Sequence, residues 1–165
     1  MKYFLLSLTI SLSLISLAGE PADLSEVFMV YPGKAAPLDW SSEGATFPGT
    51  QISSKKIPVS VKPLSSVFHD VHVWMLGESR IVVGLRADRT YSDSKRCEAD
   101  LTIVAKVFEA SLNEQPKSTP IEIQYLSNDG NVKAQLACRG MQFPTLSLTF
   151  EHIGLGQEMA NELGR

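Results

Sequence analysis

The sequence carries no N-x-[ST] sequon, no glycine-rich phosphate loop and no G-x-S-x-G turn, and it has only three histidines and two cysteines. Those absences remove consensus N-glycosylation, phosphate cradling of the P-loop kind and the nucleophile elbow of α/β-hydrolases from what motifs assign. Downstream of residue 18 no apolar run approaches the roughly 20 residues that a membrane-crossing helix needs. Position 19 is glycine rather than the cysteine of a lipoprotein anchor. Positive charge is also scarce: 18 acids stand against 15 bases, which argues against a general binder of nucleic acid or anionic membranes. No residue set calls for a cofactor, and none is expected.

What the chain does have begins with Lys2 and the run FLLSLTISLSLISL from Phe4 to Leu17, closed by Ser16-Leu17-Ala18. One cation, a short apolar stretch and small residues at the −3 and −1 positions predict a signal peptide over 1–18, cut after Ala18. The mature chain is then exported, with no membrane span, and residues 19–165 suit one domain. In an oxidising compartment Cys97 and Cys138 have only each other, so a disulfide between them is expected; they stand too far apart for a C-x-x-C redox pair. Without a sequon the bacterial periplasm is favoured over an extracellular space.

Residues 19–66 hold Pro21, Pro32, Pro37, Pro48, Pro58 and Pro63, six of the nine prolines. An irregular arm follows, with Val27–Tyr31 as an edge strand and Trp40 and Phe47 as packing anchors. Regular alternation starts at Val67, and residues 67–153 read as a disulfide-stapled α+β body. Val71, Val73 and Met75 alternate inward, the turn Gly77-Glu78-Ser79 follows, and Ile81, Val83 and Leu85 repeat the pattern. A three-residue turn sets Met75 opposite Ile81 and Asp70 opposite Arg86.

After a cap among Ser92, Asp93 and Ser94, Cys97, Leu101, Val104, Phe108 and Leu112 recur at helical spacing. Ile121, Ile123 and Tyr125 then lead through Asn128-Asp129-Gly130, a hairpin signal, to Val132, Ala134, Leu136 and Cys138. Leu146, Leu148 and Phe150 form the inner face of a last strand. Strand, strand, helix, strand, strand, strand predicts an antiparallel sheet with one amphipathic helix on one face. Residues 154–165 form a tail in which Leu155, Met159 and Leu163 allow a short helix.

Chemistry-bearing residues are few. His69 and His72 are three apart on a strand and so point to opposite faces, which defeats a shared metal, and no metal site is expected. The outward face of the first hairpin offers Asp70, His72, Trp74 and Arg86, which with Trp40 make the candidate binding surface: exposed Trp beside Arg is hot-spot composition. The same face packed under the arm would be ordinary core with an Asp70–Arg86 ion pair. Arg86, Arg89, Lys95 and Arg96 form a second basic group, interleaved with acids that neutralise it.

With no catalytic constellation, the expected function is an exported protein-binding module of inhibitor, immunity or accessory-subunit type, whose partner is another envelope or extracellular protein. The alternative is a small periplasmic enzyme or ligand carrier using Asp70, His72 and Arg86, with His152 as a further ligand. A structural role in which the arm donates a strand to a neighbour is a third reading.

Overall fold

The computed structural model describes residues 24–40, 45–78, 80–112, 116–119 and 121–164. The predicted signal peptide and its cleavage site lie outside them. Twelve elements follow in order: α1 (Leu24–Phe28), β1 (Ala45–Thr46), β2 (Ile52–Pro58), α2 (Leu64–Val67), β3 (Asp70–Leu76), β4 (Ile81–Thr90), α3 (Ser94–Leu112), β5 (Lys117–Thr119), β6 (Glu122–Leu126), β7 (Val132–Arg139), β8 (Thr145–His152) and α4 (Ile153–Glu162). The strands form one sheet in the order β1-β2-β3-β4-β8-β7-β6-β5, and every pairing is antiparallel. The architecture is α+β. Helix α3 carries the chain from β4 at the centre to the far edge, and three successive antiparallel connections, β5–β6, β6–β7 and β7–β8, bring it back until β8 lies beside β4.

The core lies between this sheet and α3. Cys97, Leu101, Val104, Phe108 and Leu112 are buried on one stripe of the helix, as their spacing predicts. They meet Val73, Leu85, Leu136, Leu148 and Phe150 from the sheet. The helix starts at Asp93, whose carboxylate accepts the backbone N–H of Arg96 at 2.9 Å and satisfies a donor that helix geometry leaves open. Cys97 and Cys138 are joined by a disulfide with their Cα atoms 6.1 Å apart, tying the first turn of α3 to β7. An aromatic cluster sits at the other end of the helix, where Phe150 meets Phe108 edge-on at 5.5 Å and Tyr31 at 5.5 Å.

The β6–β7 hairpin follows its sequence signal. Tyr125 pairs with Ala134 and Ile123 with Leu136, and Gly130 takes a positive φ of 69° in the turn. Asp129 organises that turn by accepting Ser127 Oγ at 2.5 Å, the Asn131 backbone N–H at 3.0 Å and Asn131 Nδ2 at 2.9 Å. Those bonds, Ser127 foremost, lower its pKa to about 2. A carboxyl whose folded pKa is depressed stabilises the fold above its unfolded value near 4 and loses that stabilisation as pH falls towards 2. A carboxyl-carbon NMR titration of Asp129 should therefore show a midpoint near 2; a midpoint near 4 would mean that the turn network does not form in solution.

Several features differ from the sequence expectation. The first hairpin turns over residues 77–80, so that Leu76 pairs with Ile81 and Met75 with Val82; the register then shifts, and Trp74 pairs with Gly84, Val73 with Leu85 and His72 with Arg86. Val83 and Gly84 together stand opposite one step of β3, a β-bulge that turns Val83 to the outer face and puts Val82 in the core. Alternation alone does not reveal it, because two adjacent valines suit either face.

The proline-rich segment also contributes more than an irregular arm. Ile52–Pro58 pairs residue by residue with β3, and the Lys34 carbonyl accepts the Val82 N–H at 2.8 Å, so that residues 33–36 extend the ladder along β4. Val27–Tyr31 is not an edge strand: Leu24, Val27 and Phe28 share the buried side of α1 because their spacing is helical. Phe47, expected as an anchor, stays 38 % exposed in the β1–β2 turn.

Both faces of the sheet carry a helix. On the outer face Ile52, Leu76 and Val83 form a small second core, over which Trp74, Leu155, Met159 and Leu163 pack. Glu162 holds the end of α4 by accepting the Gln51 backbone N–H, and His152 Nδ1 caps its start by accepting the Leu155 N–H at 3.3 Å. Ile121, finally, was expected to face inward and is 54 % exposed, since it precedes β6 at the sheet's end.

Candidate functional site

The residues singled out by sequence divide between the two sides of the sheet. Trp40 lies in the main core at 6 % exposure, so it is not available to a partner. Its ring receives the Lys55 ammonium 5.2 Å from the centroid, and its carbonyl accepts Arg80 Nη1. Asp70, His72, Trp74 and Arg86 do share the outer face, yet they do not converge on one point. Asp70 pairs with Lys56 of the neighbouring strand at 2.9 Å, not with Arg86. Trp74 is half covered by the α4 cluster, which removes the exposed hot-spot aromatic from this face. His152 caps α4 and lies against Gly33, where an added Cβ would stand 2.8 Å from its imidazole. It belongs to the same side of β8 as Phe150, opposite His72. No group of three or more His, Cys, Asp or Glu side chains suited to a metal occurs among the described residues.

Arg86 keeps different company from that predicted. Its Nε and Nη2 donate to the two oxygens of Asp88 at 2.8 and 3.1 Å, and Ser147 Oγ donates to the same carboxylate at 2.6 Å. Partial burial raises the Asp88 pKa, but the bonds from Arg86 and Ser147 outweigh it, with a smaller contribution from the nearby His72, and hold the carboxyl below its usual value. Three strands away, on β6, Glu122 accepts Arg139 Nη2 at 2.7 Å, Gln124 Nε2 at 2.8 Å and Gln135 Nε2 at 2.9 Å. Between these two networks the short side chains of Ala137 and Ser147 leave a dish of about 130 Å³, walled by Arg86, Gln135, Arg139 and Thr149.

A second feature stands at the end of the same strands. The β7–β8 loop, Gly140–Pro144, presents Met141 at 103 % and Phe143 at 69 % exposure, with Ile121 at 54 % nearby on the adjoining strand end. Its base is held firmly. Arg139 pairs with Thr145, the Pro144 carbonyl accepts the Tyr91 N–H at 2.8 Å, and Cys138 is covalently tied to α3. Gly140 has φ of +106°, and a Cβ there would stand 2.9 Å from the Phe143 carbonyl, so the tight loop requires glycine.

Sequence reading missed Gln135, Arg139, Ser147, Thr149, Met141 and Phe143. Two large apolar residues between Gly140 and Pro144, outside any strand pattern, were a usable signal for the loop. For the dish there was none, because the β4–β8 pairing joins residues about 60 apart in sequence. No family model matches the chain, and neither a curated protein nor a solved structure is found to be similar to it.

Proposed function

We propose that the chain is an exported, non-catalytic protein-binding module of inhibitor, immunity or accessory-subunit type, and that the Gly140–Pro144 loop is its contact. The observation that carries this reading is the exposure of Met141 and Phe143 on a loop whose base is pinned. Leaving large apolar side chains in water costs free energy, and burying them against a partner recovers about 1.5–3 kcal/mol each. A pinned loop loses little entropy on binding, which is the advantage of preorganisation.

Export rests on the predicted leader together with the disulfide, which favours an oxidising compartment; lack of a sequon favours the periplasm. No helix among the described residues is long and apolar enough to cross a membrane. The enzyme or carrier alternative would have to work with Asp70 and Arg86 already engaged by Lys56 and Asp88.

The test compares the tagged wild-type chain with a Met141→Ser/Phe143→Ser variant in co-purification from the native envelope fraction after mild crosslinking. Both substitutions are at exposed sites and should leave the melting temperature unchanged. The expected result is one stoichiometric partner with the wild type and at least a tenfold loss with the variant. Equal recovery by both chains, or no partner with either, would overturn the assignment of the loop.

A further inference from the structure

The dish on the open sheet face has a hydrogen-bonding imbalance that the loop does not explain. Among the described residues its carboxylates are spent as acceptors: both oxygens of Asp88 are taken by Arg86 and Ser147, and both of Glu122 by Arg139, Gln124 and Gln135. Its donors are not. Among the described residues Arg86 commits only Nε and Nη2, Arg139 only Nη2, and no partner holds the Thr149 hydroxyl. A guanidinium carries five N–H donors in a fixed fork, so each arginine turns one part to its carboxylate and retains further N–H groups.

We propose that the dish between Arg86 and Arg139 is a binding site for a single carboxylate. Surplus donors with few free acceptors suit an acceptor-only group, and planar guanidinium forks suit a planar carboxylate in bidentate geometry. The volume of about 130 Å³ holds roughly four waters at their share of the liquid, enough for a carboxylate with the carbon that bears it. Formal charge favours a monoanion: two arginines face Asp88 and Glu122, so the local sum is zero and a phosphate dianion gains little.

The walls are preorganised, because Asp88 and Glu122 orient the arginines and are themselves held ionised by them. Hydrogen bonds lower both carboxyl pKa values, and the Glu122 shift comes first from Arg139. Asp88 and Glu122 therefore act as positioning residues, and Arg86, Arg139 and Thr149 are the groups that touch the ligand. The carboxylate can belong to a free small acid or to an acidic side chain or C-terminus of a peptide.

Titration of the 15N-labelled protein with sodium acetate, with a capped Glu-Glu dipeptide and with inorganic phosphate tests the site, read by amide and arginine side-chain resonances. Acetate should produce saturable shifts at Arg86, Gln135, Arg139 and Thr149, and Arg86→Gln and Arg139→Gln should each weaken binding about tenfold, the effect of one charged hydrogen bond. Dipeptide binding at least tenfold tighter than acetate would identify a peptide carboxylate, whereas equal affinity would identify a free acid; both uphold the site.

Shifts that fail to saturate, persist unchanged in both arginine variants, or saturate more tightly with phosphate than with acetate would overturn it. Should either arginine variant fold poorly, Thr149→Val reads the same site with both ion pairs intact, and an unchanged affinity there counts against the proposal. The Met141→Ser/Phe143→Ser variant should bind acetate as the wild type does, so failure of the loop assignment and failure of the dish are distinguishable.

Discussion

Replacing Phe150 by alanine is expected to lower the free energy of unfolding by about 4 kcal/mol, measured from urea transitions at constant slope. Phe150 is fully buried, and its ring centroid lies 6.1 Å from Phe28, 5.5 Å from Phe108 and 5.5 Å from Tyr31. Those three rings come from α1, α3 and the segment after α1. Truncation therefore removes the transfer free energy of a large aromatic and also leaves a cavity that three separate elements would have to close. Because β8 is a central strand paired on both sides, the backbone cannot move to fill the gap. A loss below about 2 kcal/mol would mean that residues 24–31 do not pack on the sheet in solution, since only their withdrawal would let the site relax.

Removing the disulfide should have a comparable effect. The bridge links residues separated by 41 positions, and the chain-entropy model gives about 4 kcal/mol for a loop of that length. A Cys97→Ala/Cys138→Ala variant is therefore expected to unfold at markedly lower urea concentration, and the oxidised wild type should move towards it on adding reductant. Intact-mass analysis supplies an independent check: the oxidised chain should weigh two hydrogens less than its reduced form. Coincident unfolding curves with and without reductant would show that the bridge is not a staple. The expected loss has a local meaning as well, because Cys138 lies one residue before Arg139 and the loop that shows Met141 and Phe143 to solvent. Amide exchange in residues 139–145 should quicken in the double-alanine variant even where the rest of β7 stays protected.

Helix α3, the β6–β7 hairpin and the inward face of β8 were legible in the sequence because each is a local pattern with a strong period. Cys97 to Leu112 repeats at helical spacing over four turns. Asn128-Asp129-Gly130 is a turn whose residues satisfy its own backbone, and Leu146, Leu148 and Phe150 alternate without interruption. The proline-rich segment was not legible in the same way. Six prolines mark where a chain turns, but Ile52–Pro58 becomes a strand only because β3 offers it a complementary edge. The Val82–Val83 bulge was hidden for a related reason: either valine satisfies the core, and the choice is made by the length of the turn and by the pairing of residues 33–36 with β4.

The candidate site illustrates the limit more sharply. Sequence placed Asp70, His72, Trp74 and Arg86 on one outward face, and that face exists. It could not place Lys56 beside Asp70, or Asp88 and Ser147 beside Arg86, because those neighbours arrive through register and strand order. For Trp40 it offered both a packing anchor and a binding-surface residue, and the burial of that side chain decides for the anchor.

Periodicity, turn chemistry and the cysteine count thus determined the α+β class, the main helix, the later hairpins and the Cys97–Cys138 pairing, since each depends on residues close in sequence or on a pairing with one solution. Strand order, the bulge, the packing of α4 on the second face, the dish between Arg86 and Arg139 and the pinned apolar loop were decided only by the tertiary structure. Long-range pairing is selected by the total burial of all elements together, a quantity that no local stretch of sequence contains.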